Sequence, residues 1–195
     1  MDPNYSEYYN DRGSLYLKLE RWEEAERDFL QAIDRSPPYM EVLTNLGQCY
    51  RLQDKLEQAL ETLSSSLDLL PQQVVASVHR GQVYEALGQS ELALADYDMA
   101  LSLDDKQGLV FASRAVLRYE AGRLEEALAD LDRAIQLEPK HADLYQNRAV
   151  ALTDLGRLNE AARDLNAYLR LNPAAEDRPE VEQKLASLQA RMAAA

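Results

Sequence analysis

Residues 84–103, with the sequence YEALGQSELALADYDMALSL, carry the pattern that decides the fold. Leucine and tyrosine recur at steps of three and four residues on both sides of Gly88 and Gln89, which is typical of two amphipathic helices joined by a tight turn. Glycine suits this turn because it adopts the left-handed backbone that often ends a helix. The stretch therefore predicts a helical hairpin.

The same pattern returns every 34 residues along the chain. Alanine occupies one place of every repeat, at Ala25, Ala59, Ala93, Ala127 and Ala161. Proline closes four of the repeats, at Pro37, Pro71, Pro139 and Pro173. A fixed period of this length indicates stacked helical hairpins. We expect a lead-in at 1–5, five repeats at 6–39, 40–73, 74–107, 108–141 and 142–175, and a capping helix within 176–195.

The capping helix is predicted from the last 20 residues. Val181, Leu185, Leu188 and Met192 are spaced by four, three and four residues, so they share one face of a helix. Because a terminal hairpin would otherwise expose its apolar side, this helix is expected to cover the last repeat.

The repeats resemble those of the tetratricopeptide repeat family. The first repeat matches the family pattern of bulky, small and aromatic positions with Tyr9, Gly13, Tyr16, Ala25, Phe29, Ala32 and Pro37. Later repeats depart from it, since Ala115 replaces the glycine and Arg118 the tyrosine in the fourth. The resemblance implies an all-α, right-handed superhelix of helical hairpins, whose first helices line a concave groove for an extended peptide or a partner helix.

Two places of the repeat vary together. The seventh place is arginine and the twenty-third is aspartate in every repeat except the second, which has Leu46 and Thr62 instead. The paired residues are Arg12 and Asp28, Arg80 and Asp96, Arg114 and Asp130, and Arg148 and Asp164. Pairing within each repeat leaves no charge unmatched, so we expect a partly buried ion pair between the two helices of each hairpin.

Composition excludes several classes of partner. Acidic residues number 34 against 21 basic ones, and the net charge of −13 would repel nucleic acid and anionic membrane surfaces. No uncharged apolar run reaches the roughly 18 residues that a membrane span needs. Cys49 is the single cysteine and cannot form an internal disulfide, which favours a reducing, cytoplasmic setting.

Catalytic chemistry is not indicated. His79 and His141 lie far apart, and the chain has neither a metal-ligand spacing nor a glycine-rich phosphate loop. Cys49 adjoins Tyr50 in a packing helix, so a buried, inert thiol is expected. The sequence therefore predicts a protein that is not an enzyme and needs no cofactor or metal.

Once the packing places of the first helix are assigned, the second, fifth, ninth and twelfth places of each repeat are left along one face of that helix. We call these places the stripe. This stripe turns apolar in the third and fourth repeats, and exposed apolar patches usually mark interaction sites. We predict partner-binding residues at Asn10, Asn45, Gln48, Val75, Val78, His79, Gln82, Leu109, Ala112, Val116, Tyr119, Gln146, Asn147 and Val150.

One binding mode of the family is disfavoured. Some members hold acidic chaperone tails with a clamp of lysine, asparagine and arginine. Starting from the first repeat, the five clamp places fall on Asn10, Ser14, Asn45, Val75 and His79, of which only one keeps the required residue.

Several alternatives remain open for the groove. Tight curvature or the N-terminal segment would cover it, or a neighbouring copy of the chain would fill it in a self-assembling structural protein. The first three repeats carry net charges of −3, −3 and −4, and the last two −1 and 0. A protein partner with basic residues beside an apolar stretch would therefore be steered towards the first three repeats.

Overall fold

The computed structural model describes residues 4–35, 37 and 39–193. Residues 1–3 of the predicted lead-in and residues 194–195 of the predicted capping segment lie outside this part of the chain. The chain divides into two compact bodies, the N-terminal body (residues 1–104) and the C-terminal body (residues 105–195).

The N-terminal body consists of three helical hairpins. Successive helices pack as antiparallel pairs, and the second helix of one hairpin packs against the first helix of the next. The helices are α1 (Asn4–Lys18), α2 (Trp22–Arg35), α3 (Met40–Leu52), α4 (Leu56–Leu69), α5 (Val74–Ala86) and α6 (Ser90–Leu103).

The C-terminal body contains two hairpins and one further helix. These helices are α7 (Gly108–Glu120), α8 (Leu124–Leu137), α9 (Ala142–Asp154), α10 (Leu158–Leu171) and α11 (Arg178–Ala193). Helix α11 packs against α10 and buries Val181 and Leu188, two of the residues whose spacing predicts a covering helix. The described part of the chain is thus all-α, with five hairpins and one helix after them.

The turn inside each hairpin uses one residue with left-handed backbone. Gly88, Gly122 and Gly156 have φ angles of 69°, 72° and 74°. Glu20 and Asp54 occupy the same place in the first two repeats and adopt φ angles of 57° and 59°. The predicted turn is confirmed, and the first two repeats form it with side chains that pay a steric cost there.

Small residues allow the two helices of each hairpin to approach closely. The alanine shared by all five repeats is fully buried in each of them. A Cβ added to Gly81 would lie 2.7 Å from Cε1 of Tyr97, and one added to Gly13 would lie 2.7 Å from Cε1 of Phe29. In these hairpins the large ring of the second helix therefore fills the space that a side chain on the first helix would need.

The predicted ion pairs are confirmed in all four repeats that carry them. Nε and Nη2 of each arginine donate to the two carboxylate oxygens of the aspartate 16 residues later, at 2.6–2.9 Å. The four aspartates are 3–5% exposed. These hydrogen bonds raise the pKa of Arg80 and of Arg148. Each pair therefore fixes the register of its hairpin.

Substituting Gly81 with alanine tests the close approach of α5 and α6. The added methyl group would collide with the buried ring of Tyr97, so the free energy of unfolding should fall by about 1–2 kcal/mol despite the better helix propensity of alanine. In a Tyr97→Ala background the same change should be neutral or stabilising, because every atom that the added methyl group would meet belongs to the ring that this variant lacks. Urea unfolding followed by circular dichroism measures both, and an equal loss in the two backgrounds would contradict the packing account.

A double-mutant cycle on Arg80→Met and Asp96→Ala tests the ion pair. Removing the arginine alone leaves a carboxylate only 5% exposed without its partner, which should cost about 2 kcal/mol of unfolding free energy. The coupling energy of the pair should be about 1 kcal/mol or more. The exposed pair Arg157 and Glu160 is the control, with an expected coupling below about 0.5 kcal/mol. Equal coupling in the two pairs would refute a structural role for the buried one.

Candidate functional site

An apolar cleft lies between α7 and α9 in the C-terminal body. Its volume is about 240 Å³. Four residues that the sequence predicts as partner-binding line it together, namely Val116, Tyr119, Asn147 and Val150. Ala115, Glu120, Leu131 and Ala151 complete the lining. We call it the α7–α9 cleft.

Small buried residues create the α7–α9 cleft. Ala115 and Ala151 are fully buried beside Leu131, and their short side chains leave the space between the two first helices unfilled. The hydroxyl of Tyr119 donates a 2.6 Å hydrogen bond to Oδ2 of Asp154, which ties α7 to α9 at the rim. This hydrogen bond raises the pKa of Tyr119. The cleft thus has an apolar floor and a polar edge held in place by a charged acceptor.

A second cleft, the α9–α11 cleft, adjoins the first. It has a volume of about 370 Å³ and shares Val150 with the α7–α9 cleft. Its apolar lining comes from Ala149, Leu165 and Leu188, and its rim carries Thr153, Asp154, Lys184, Ser187 and Arg191. Val150 is 40% exposed, so one valine side chain reaches both clefts from α9.

Sequence reasoning missed the contribution of α11 to this second cleft. Lys184, Ser187 and Arg191 follow steps of three and four residues, and that spacing marks a second, polar face of the capping helix. The prediction assigned α11 only a covering role, because the 34-residue period ends before it. The structure adds two cations to a site that the repeats alone supply with apolar and acidic groups.

The other predicted residues of the C-terminal body lie outside the two cleft linings. Leu109 is 56% exposed at the start of α7, and Ala112 is half-buried one turn later. The amide of Gln146 donates a 2.8 Å hydrogen bond to Oδ2 of Asp177. The hydroxyl of Tyr168 donates to the other oxygen of Asp177 at 2.5 Å. Gln146 therefore helps to hold α9 to the segment before α11.

In the N-terminal body, the prediction of an open binding position at Asn10 needs correction. Asn10 is only 3% exposed. Its Oδ1 accepts a 3.0 Å hydrogen bond from Nδ2 of Asn45, and Nδ2 of Asn45 also lies 3.2 Å from Oγ of Ser14. Asn10 and Ser14 of α1 thus bond to Asn45 of α3, because these two first helices approach closely enough to bury Asn10.

The remaining predicted residues of the N-terminal body are at least partly accessible. Val75 is 57% exposed, while Val78 and Gln48 are half-buried. Nδ1 of His79 lies 3.2 Å from Oε1 of Gln82. Burial lowers the pKa of His79, so its ring stays neutral near pH 7. Their role in binding stays a prediction.

Two absences and one buried thiol bear on the chemistry of the described residues. The described residues contain no group of three or more histidine, cysteine, aspartate or glutamate side chains able to hold a metal ion. Within the same ranges, no helix combines the length and the apolar character that crossing a membrane requires. Cys49 is fully buried, and burial raises the pKa of its thiol to about 11.

The reactivity of Cys49 gives a direct test of this burial. At pH 8 a thiol with a pKa near 11 is about 0.1% thiolate, so alkylation by iodoacetamide should be at least about 100-fold slower in the folded protein than in urea. Mass spectrometry of the modified chain measures both rates. Comparable rates would mean that the thiol is exposed and open to chemistry.

Comparison with known proteins agrees with this architecture. Family models described as tetratricopeptide repeat match residues 10–74, 76–107 and 119–186. No curated protein matches the chain.

Solved structures with the same fold cover almost the whole chain. A tetratricopeptide repeat protein from Parabacteroides merdae superposes with a TM-score of 0.79 at 22% identity, covering 97% of this chain and 75% of that one. MamA superposes with a TM-score of 0.74 at 18% identity, covering 90% and 94%. YrrB, described as having an unusual peptide-binding site, gives 0.74 at 18% identity and covers 90% of both chains. At these identities the likeness shows the fold.

Proposed function

The chain belongs to the tetratricopeptide repeat family, and on that basis we propose that it is a non-enzymatic scaffold for protein interactions. The proposed site is the pair of adjoining clefts in the C-terminal body. Its occupant is an extended peptide or a helix of a partner protein.

The observation that carries this proposal is that several predicted partner-binding residues lie on one surface. Four residues that the sequence predicts to bind a partner line one apolar cleft, namely Val116 and Tyr119 of α7 and Asn147 and Val150 of α9. Concave apolar surfaces with a few polar groups at the rim are the usual form of a binding site. The likeness to YrrB, a protein described as having a peptide-binding site, supports the same use of the fold here.

The chemistry of the two clefts defines the partner segment. Two apolar side chains, one for each cleft, would flank Val150 and remove it from water. Lys184 and Arg191 at the rim of the α9–α11 cleft would receive a carboxylate of the same segment. A basic region elsewhere in the partner would be attracted by the first three repeats, as their net charge predicts.

Selection from a displayed library of random peptides tests the proposal without knowledge of the partner. Enriched peptides should combine apolar residues with an acidic one. Val150→Glu should weaken a selected peptide at least tenfold, or about 1.4 kcal/mol, because it places a charge in both clefts. Isothermal titration calorimetry measures the affinity, and Arg191→Glu should weaken binding with a reduced salt dependence.

The matched control is Asn159→Glu, which adds the same charge at an exposed position of α10. This variant should bind like the unmodified protein, and circular dichroism should show that all variants are folded. Equal affinity of the Val150→Glu and Asn159→Glu variants, or no enrichment of any peptide, would count against the proposed site.

A further inference from the structure

The outward side of α1 exposes apolar and aromatic side chains in the described part of the chain. Tyr5, Tyr8, Leu15 and Leu19 are each 54–56% exposed. Together with Arg12 they follow steps of three, four, three and four residues, which places them on one side of α1, with Leu19 in the turn that directly follows the helix. We call Tyr5, Tyr8, Leu15 and Leu19 the outer face of α1.

Other repeats bury the same places. Tyr8 and Leu15 occupy the third and tenth places of the first repeat. In the second and third repeats these places hold Val42 and Cys49, and Ala76 and Val83, all fully buried. Helices α3 and α5 pack there against the second helix of the preceding hairpin. The outer face of α1 therefore occupies the places through which α3 and α5 join a neighbouring helix, and in the described chain its side chains are exposed.

The capping helix does not offer a complementary apolar surface. The large apolar residues of α11, Val181, Leu185, Leu188 and Met192, are all buried or half-buried. The exposed residues of α11 are mainly polar residues and alanines, among them Glu182, Gln183, Gln189, Ala186 and Ala190. An end-to-end chain of copies, with α1 of one copy on α11 of the next, would thus place leucine and tyrosine against charged and amide groups.

The outer face is instead complementary to itself. Asp11 and Lys18 are exposed and lie two helical turns apart along one edge of this face. When two identical helices pair antiparallel about a two-fold axis, the same edge of each helix meets. Asp11 then lies opposite Lys18 of the second copy, and Lys18 opposite its Asp11. Charge and apolar pattern both fit one arrangement.

We propose that α1 binds α1 of a second copy of this chain in an antiparallel, two-fold symmetric dimer. Leu15 lies near the centre of the interface, and Tyr8 packs opposite Leu19 of the second copy. Arg12 also lies on this side of the helix, but its guanidinium already binds both carboxylate oxygens of Asp28 and stacks 5.2 Å from the ring centre of Tyr8. Its charge is therefore compensated within each copy.

Sedimentation velocity over protein concentrations from about 1 µM to about 1 mM tests the dimer. The unmodified chain should show a concentration-dependent monomer–dimer equilibrium. Leu15→Glu should weaken association at least tenfold, because it places two carboxylates at the two-fold axis. Since Leu15 is 54% exposed, the variant should keep its helical circular dichroism and melting temperature. Val150→Glu, in the clefts, should leave the equilibrium unchanged.

A charge exchange tests the antiparallel register separately. With Asp11→Lys alone, the new lysine faces Lys18 of the second copy. With Lys18→Asp alone, the new aspartate faces Asp11 of the second copy. Each single variant should therefore weaken the dimer. The double variant Asp11→Lys with Lys18→Asp restores opposite charges and should recover most of the affinity. A helix pair in any other register would show no such recovery.

Three results would overturn the inference. They are a monomer over the whole concentration range, an association that survives Leu15→Glu, and an association that is lost on Val150→Glu instead. The last result would show that copies meet through the clefts. A double variant no stronger than the single ones would overturn the antiparallel register.

Discussion

Each hairpin has an apolar side that it cannot bury alone, and the rest of the structure depends on this constraint. The fully buried alanine and the small residue at the eighth place let the helices of one hairpin approach closely. The faces left over are covered only where another helix packs on them. Stacking of hairpins therefore produces the core. Where no helix covers an apolar face, that face becomes a candidate binding surface. The clefts beside Val150 and the outer face of α1 are both places where apolar side chains meet water.

Ion pairs fix the register of the two helices within a hairpin. A buried aspartate that accepts two hydrogen bonds from one arginine tolerates little sliding of one helix along the other. In the second repeat, Leu46 is buried at the arginine place, so apolar packing can substitute for the pair there. Each pair is neutral because it joins one arginine to one aspartate, so the rest of the chain keeps the net charge of −13. The cations at the rim of the α9–α11 cleft, Lys184 and Arg191, are for that reason a local exception.

The periodic features were predictable from sequence, because a place that recurs five times reveals its environment. Hairpins, left-handed turns and the arginine–aspartate pairs all follow from such places. Features that depend on one repeat were not predictable. The burial of Asn10 requires the amide of Asn45 at hydrogen-bonding distance, which no spacing reveals. The cations of α11 lie beyond the last repeat, and the cleft between α7 and α9 depends on how much space Ala115 and Ala151 leave. The spacing of apolar residues predicts the faces of each helix, but the packing of neighbouring helices determines which of these faces are exposed.

Site-specific photo-crosslinking from Val150 tests the central claim most directly, since it reports contact at the shared wall of both clefts. A photoreactive phenylalanine analogue at Val150 is compared with the same residue at Asn159, exposed on α10, in the cell that produces the protein. The account predicts a discrete crosslinked protein from position 150, with the contact peptide rich in apolar residues next to an acidic one, and none from position 159. Equal crosslinking from both positions, or from position 159 alone, would contradict it.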